Sequence, residues 1–206
     1  MSEAASPGLR RFRIVLWSLV AVAAIAATIL FVLRPFEQGG LGSRLSLNPV
    51  GSFSLASTMG GRFTEADLKG TPTLLFFGFT YCPNVCPTTL SATVEWKKKL
   101  GLTSDQLRTV FVTIDPERDT LDMMDSYTEP VDPSIIGLVG TPEETANIAR
   151  QYRVTAEKAD DGQGSYTMLH TATVFLIDAN GAYQGGIDWE ESQASAIAKI
   201  KRLVGG

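Results

Sequence analysis

A chain of 206 residues that is 44% hydrophobic and 19% charged has the composition of a folded protein with a core, which excludes a disordered or collagen-like polymer. Its charge is unevenly placed: residues 1 to 34 hold four Arg and one Glu, leaving 14 basic and 21 acidic residues for the remainder. An acidic body of that kind excludes nucleic acid as the expected partner, because a phosphate backbone is bound by clustered Lys and Arg.

Residues 1–13 carry Arg10, Arg11 and Arg13, and Ile14 to Leu33 follows as twenty residues without a charge. At about 1.5 Å per residue, such a helix spans about 30 Å, the hydrocarbon thickness of a bilayer. A single transmembrane helix is therefore expected over 14–33, with residues 1–13 in the cytoplasm because Lys- and Arg-rich flanks stay there. Ala23 to Ala27 offers small residues that a signal peptidase accepts, but the apolar run exceeds the length of a signal h-region and reads as an uncleaved anchor. Residues 34–52 form a linker broken by Pro35, Gly39, Gly40, Gly42 and Pro49. Residues 53–206 form one domain on the far side of the membrane, large enough to bury about 70% of its unfolded surface without a disulfide.

Along that domain, Phe53-Ser54-Leu55 alternates like a short strand, and 62–70 is a short segment ending at a glycine. Thr73 to Phe79 is an apolar run read as a buried strand, followed by the cysteine loop and a helix from Pro87 to Leu100 with Leu90, Val94 and Leu100 facing inward. Lys97, Lys98 and Lys99 read as a solvated face of that helix. Thr109 to Asp115 alternates as a second strand and runs into the polar loop Asp115-Pro116-Glu117-Arg118-Asp119-Thr120, where Asp119 or Thr120 caps a helix carrying Leu121, Met124 and Tyr127.

Ile135 to Val139 is read as an edge strand, and Thr141-Pro142-Glu143-Glu144 as a capping box opening a helix to about Tyr152. Thr155 to Ser165 is expected to be a mobile polar loop. His170 to Asp178 and Ala182 to Ile187 form a hairpin about Asn180-Gly181, and Glu190 to Val204 a last helix with Ile197, Ile200 and Val204 buried. The order is that of an α/β protein and resembles a thioredoxin-like sheet, mixed, flanked by helices and elaborated by an insert. In such a sheet the loops after parallel strands share one edge, and the antiparallel strand starting at His170 begins on that edge too.

Cys82 and Cys86, the two cysteines of the chain, sit in Thr80-Tyr81-Cys82-Pro83-Asn84-Val85-Cys86-Pro87. In an oxidising exterior such a pair is by default a disulfide. Four apart at a helix start, both sulfurs lie on one face and can point at one ion. His170 is the one histidine, and its predicted place near the thiols adds an imidazole; two thiolates and one imidazole suit copper. A closed zinc site would want a fourth protein ligand, and none is evident. Thiol exchange is the competing reading, because a helix amino terminus lowers thiol pKa. Against it stand the three residues between the cysteines and the lack of any proline after Pro142, where dithiol oxidoreductases carry a cis-proline. Met168, Met123 and Met124 read as core packing. Asp115, Glu117, Arg118 and Asp119 read equally well as a capped turn or as support for the site.

Phe76 to Leu90 (FFGFTYCPNVCPTTL), Thr113 to Thr120 (TIDPERDT), Gly137 to Glu144 (GLVGTPEE) and Tyr166 to Asp178 (YTMLHTATVFLID) resemble the Sco/SenC family of membrane-anchored copper-delivery proteins. The resemblance covers about 52–204 and implies a thioredoxin-like fold holding one copper, Cu(I) or Cu(II), through Cys82, Cys86 and His170. It also implies assembly of the binuclear copper site of cytochrome c oxidase, with that enzyme's copper-binding subunit as partner and other periplasmic copper carriers or a thiol reductase as further partners. In a bacterium, the anchor would lie in the inner membrane and the domain in the periplasm. The alternative is a membrane-anchored thiol-disulfide reductase that uses Cys82 and Cys86 to prepare the oxidase cysteines. Leu169 stands where the family commonly has Asp before its histidine, and Ser57-Thr58-Met59-Gly60 lacks a common Asp.

Overall fold

The computed structural model describes residues 12–13, 16–22, 52–162 and 164–205. The chain divides into two units, Met1–Leu45 and Ser46–Gly206. In the first, residues 16–22 are helical and exposed. The rest of the expected membrane span, 14–15 and 23–33, and linker residues 34–51 lie outside the described residues. Among the described residues no helix is long and apolar enough to cross a membrane.

The second unit is a thioredoxin-like α/β domain. Its main sheet contains β1 (Ser54–Ser57), β2 (Arg62–Thr64), β3 (Thr73–Gly78), β4 (Arg108–Thr113), β5 (Ile136–Val139), β8 (Thr173–Ile177) and β9 (Tyr183–Asp188). They lie in the order β2-β1-β5-β4-β3-β8-β9, while β6 (Ala156–Asp160) and β7 (Tyr166–His170) form a separate two-stranded sheet. Four helices flank the main sheet: α1 (Val85–Leu100), α2 (Leu121–Thr128), α3 (Pro142–Gln151) and α4 (Gln193–Val204).

The apolar run of β3 is explained by its place. It pairs in parallel with β4 and antiparallel with β8, and every one of its residues is buried. A strand covered on both faces has no polar face to alternate with. Phe76 stacks on Phe111 of β4 at 5.8 Å between centroids, and Phe77 meets Phe175 of β8 edge-on at 5.7 Å. Burying side chains of this size contributes about 1.5–3 kcal/mol each. The sheet's centre is thus the most strongly fixed part of the domain, and the cysteine loop leaves from its end.

Several elements differ from their sequence reading. β5 is interior, pairing in parallel with β4 and antiparallel with β1. The stretch expected to be a mobile loop contains β6, which pairs residue by residue with β7 from Ala156↔His170 to Asp160↔Tyr166. The strand expected from His170 to Asp178 is β8 over Thr173–Ile177 alone, and His170 instead ends the preceding strand, β7. Helix α1 starts at Val85, two residues early, and ends where Gly101 takes a left-handed φ of 65°. Helix α4 starts at Gln193 behind the Ser192 cap, so Glu190 and Glu191 precede it. Its buried residues are Ala196, Ile200 and Leu203.

Lys97 is the other correction. It is 5% exposed, and its Nζ donates to Asp132 Oδ2 at 3.1 Å, so it belongs to a part-buried ion pair and not to a solvated face. Lys98 and Lys99 are exposed as expected.

Candidate metal centre

The site lies at the carboxyl edge of β3. The chain turns after Gly78, with Cys82 N–H donating to the Phe79 carbonyl at 3.2 Å, and enters α1 at Val85. Asn84 takes the capping position without a side-chain cap bond. In its place the Cys82 sulfur accepts from Cys86 N–H at 3.4 Å, satisfying a donor that the first turn of a helix leaves open. Pro87 falls in that same first turn, where a missing N–H costs nothing. The Cys-x-x-x-Cys spacing thus lets one sulfur cap the helix that carries the other.

Cys86 is fully buried, Cys82 is half-buried, and both are free thiols. The two share a proton unequally. A hydrogen bond from the Cys86 thiol, opposed by burial and helped by the Cys86 backbone N–H, lowers Cys82 from an ordinary 9.0 to about 4. Cys86 moves upward, because its proton serves Cys82 and its surroundings are apolar. One thiolate at neutral pH is therefore built into the reduced domain.

Room for the Cys86 sulfur comes from Gly78. A Cβ placed there would stand 2.7 Å from Cys86 Sγ and 2.7 Å from Phe111 Cε2. The sulfur occupies the space that a side chain at the end of β3 would fill.

His170 reaches the same place from the end of β7. Its Nε2 is 3.8 Å from Cys86 Sγ, and its Nδ1 is 2.9 Å from the Thr171 carbonyl oxygen. A carbonyl only accepts, so Nδ1 carries the hydrogen and Nε2 faces the sulfurs. Phe79 meets the ring edge-on at 5.8 Å and Phe76 lies at 6.4 Å, fixing its plane. Its strand is paired along its length with β6 and its next residue, Thr171, is bonded to Thr155, so the histidine stands on a hairpin where a mobile polar loop was expected beside it.

Among the described residues no three His, Cys, Asp or Glu side chains already stand in full metal-ligating geometry. The donor chemistry nonetheless fits a soft ion. Bonds of about 2.3 Å to sulfur and about 2.0 Å to nitrogen place two ligands of one tetrahedral or trigonal ion about 3.5–3.7 Å apart. The 3.8 Å between Cys86 Sγ and His170 Nε2 is close to that, and the Cys82 sulfur lies 3.4 Å from the Cys86 backbone nitrogen.

The polar loop after β4 buttresses the cysteines. Asp119 is buried and accepts from Thr80 N–H at 3.0 Å, from Thr80 Oγ1 at 2.6 Å and from Thr113 Oγ1 at 2.6 Å. It therefore pins the start of the cysteine loop to the end of β4. Thr120, not Asp119, caps α2 through Met123 N–H. Met168 is buried and packs into the core, as expected. Gly78 and Thr80 were not singled out from sequence, because nothing in one chain marks a glycine as a sulfur's neighbour.

A family model described as SCO1/SenC matches residues 43–205, which takes in every described residue of the domain and the stretch before it. The chain belongs to the SCO1/SenC family. It is 38% identical over 131 residues to "Protein SCO1 homolog 1, mitochondrial" of Arabidopsis thaliana, a match covering 62% of this chain and 38% of that protein. It is 33% identical over 158 residues to "Protein SCO2 homolog, mitochondrial" of Mus musculus, covering 75% of this chain and 62% of that one. The chain thus spans less than two thirds of the length of either relative. Among solved structures, Bradyrhizobium japonicum ScoI with copper bound superposes with a TM-score of 0.67 at 40% identity, covering 74% of this chain and 98% of that chain.

Proposed function

We propose that this SCO1/SenC chain is a copper-delivery protein whose cargo is one copper ion held by Cys82, Cys86 and His170. The observation that carries the reading is the approach of His170 Nε2 to Cys86 Sγ at 3.8 Å, from an element 84 residues away, onto a pair of free cysteines one helical turn apart. Thiolate sulfur selects Cu(I) and imidazole serves either oxidation state, so the set can accept the ion in one state and hold it in the other. The copper-bound ScoI relative supports the choice of metal.

Release follows from the same pair. Binding the ion displaces the Cys86 thiol proton, so both sulfurs hold it as thiolates. Thiol-disulfide exchange with a partner disulfide, which takes up the two electrons and is reduced to a dithiol, would join Cys82 and Cys86 and leave the ion with imidazole alone. The recipient in this reading is the copper-binding subunit of cytochrome c oxidase. The apolar length of 14–33 and the arginines before it support a membrane anchor with the domain on the far side, which in a bacterium is the periplasm of the inner membrane.

Titrating the reduced domain with Cu(I) and with Cu(II) tests the reading. One equivalent of either ion is expected to bind; Cys82→Ser and Cys86→Ser are each expected to weaken both, and His170→Ala to weaken Cu(II). Parent-like binding by all three would refute the assignment. The low Cys82 pKa also favours a second reading, a thiol reductase that prepares the recipient's cysteines. His170→Ala separates the two: copper delivery loses function while reduction of a disulfide peptide continues, whereas a reductase keeps both.

A further inference from the structure

Arg118 joins the segments that carry the three ligands. Its Nε donates to Asp115 Oδ2 at 2.5 Å and its Nη1 to the Tyr166 carbonyl at 2.9 Å. Its guanidinium carbon lies 3.8 Å from the Tyr166 ring centroid and 4.7 Å from that of Tyr81. Tyr81 directly precedes Cys82, and Tyr166 opens β7, the strand that ends at His170. Asp115, 1% exposed, closes the set by accepting from Tyr166 Oη at 2.9 Å.

This set matters because of how His170 is mounted. β6 and β7 pair with each other and with no strand of the main sheet, and a two-stranded hairpin by itself is marginal. The His170 end of β7 is tied to the main sheet by the two-residue link to β8. It is the other end, at Tyr166, that side chains set, and with it the tilt of the strand that carries the imidazole. The Lys158–Glu117 pair also bridges hairpin and loop, but both side chains are about half exposed, and such pairs contribute little. Arg118 is the better brace: it has a buried carboxylate partner, a two-pronged grip and stacked aromatic rings, each of which survives salt and water better.

We propose that Arg118 is a positioning residue that sets the imidazole against the two sulfurs and thereby sets the site's preference between copper oxidation states. The inference rests on the copper reading of the site. Two thiolates satisfy Cu(I) without help, so loosening the hairpin leaves that affinity in place. Cu(II) depends on the imidazole nitrogen and on a higher ligand number, so the same loosening removes a ligand it needs.

The test compares Arg118→Met, Arg118→Lys and Tyr166→Phe with the parent, using Cu(II) and Cu(I) competition against chelators and, without metal, hydrogen exchange of the β7 amides. For Arg118→Met, Cu(II) affinity is expected to fall about ten- to a hundredfold, the usual effect of losing a support to a metal ligand. Cu(I) affinity is expected to stay at the parent value, and β7 amides to exchange faster while β3 amides do not. Arg118→Lys keeps the cation over the ring but loses the fork, and should recover part of the Cu(II) affinity. Tyr166→Phe removes a single hydroxyl and carries the test if Arg118→Met does not fold, with a smaller loss of the same sign. Equal losses for both oxidation states, or no loss in any variant, overturn the proposal while leaving the copper reading intact. A parent that binds neither ion overturns both.

Discussion

The Cys86 sulfur stands where a side chain on Gly78 would be: a Cβ there would lie 2.7 Å from Cys86 Sγ. Strand β3 and helix α1 meet at this point, and the closeness requires glycine for reasons of space and not of backbone angle. Gly78→Ala is therefore expected to push the sulfur or Phe111 aside and to destabilise the domain by about 1–3 kcal/mol, as overpacking does. Urea unfolding measures that loss. Copper titration of the same variant is expected to show weaker binding, because the displaced sulfur is a ligand.

Asp119 offers a separate test of the buttress. Its two oxygens accept three hydrogen bonds from Thr80 and Thr113. Asp119→Ala leaves buried donors without partners, at about 1–3 kcal/mol per unsatisfied group. Unfolding midpoints should fall accordingly, while Asp119→Asn, which keeps one accepting oxygen, should fall less.

Much of this arrangement is legible in the sequence, and the reasons are specific. β3 shows itself as an apolar run because both its faces are covered, and the cysteines and the lone histidine show themselves by rarity. The β6–β7 hairpin does not, because Ala156-Glu157-Lys158-Ala159-Asp160 lies off the main sheet, is largely exposed, and so has no apolar face to alternate with. The break between β7 and β8 at Thr171-Ala172 contains neither Gly nor Pro, so nothing local separates His170 from the strand that follows it. β5 looked like an edge because it is four residues long, and its second neighbour, β1, comes from about 80 residues earlier in the chain. Lys97 hides in a run of three lysines, since burial of one depends on Asp132 and Ser134, which lie 35 and 37 residues further on. The grip of Arg118 on Tyr166 likewise joins residues that no local pattern connects.

The thiol pair predicts a pH profile. With Cys82 held near 4 by the Cys86 thiol and Cys86 moved upward, alkylation of the reduced, metal-free domain by iodoacetamide at pH 6 is expected to modify Cys82 and spare Cys86. Mass spectrometry of peptic fragments reads the site. The same shift is a stability term: a depressed thiol stabilises the fold fully above its unfolded value of 9.0, and that contribution is lost as pH falls toward about 4. Urea midpoints of the reduced parent should therefore decline from pH 8 to pH 5 more steeply than those of Cys82→Ser. A parallel decline would show that Cys82 is protonated like an ordinary thiol.

Lys97 and Asp132 give a test remote from the site. Burial works against the Asp132 carboxylate, but hydrogen bonds from Ser134 and the Lys97 ammonium hold its pKa below the usual range. Removing one partner of a part-buried pair leaves the other uncompensated, so Lys97→Ala is expected to lower stability, and Lys97→Met, which keeps the packing, to lower it less. Copper affinity should be unchanged in both, as a control that stability and metal binding are separable here.

The central claim is that two sulfurs and one imidazole meet on one copper ion, and X-ray absorption spectroscopy of the copper-loaded domain tests it most directly. The account predicts two sulfur scatterers at about 2.3 Å and one imidazole nitrogen at about 2.0 Å, the distances such ligands take to a borderline-soft ion. It predicts that the imidazole scattering disappears in His170→Ala. A first shell of oxygen and nitrogen without sulfur, or an imidazole signal that survives His170→Ala, would contradict it.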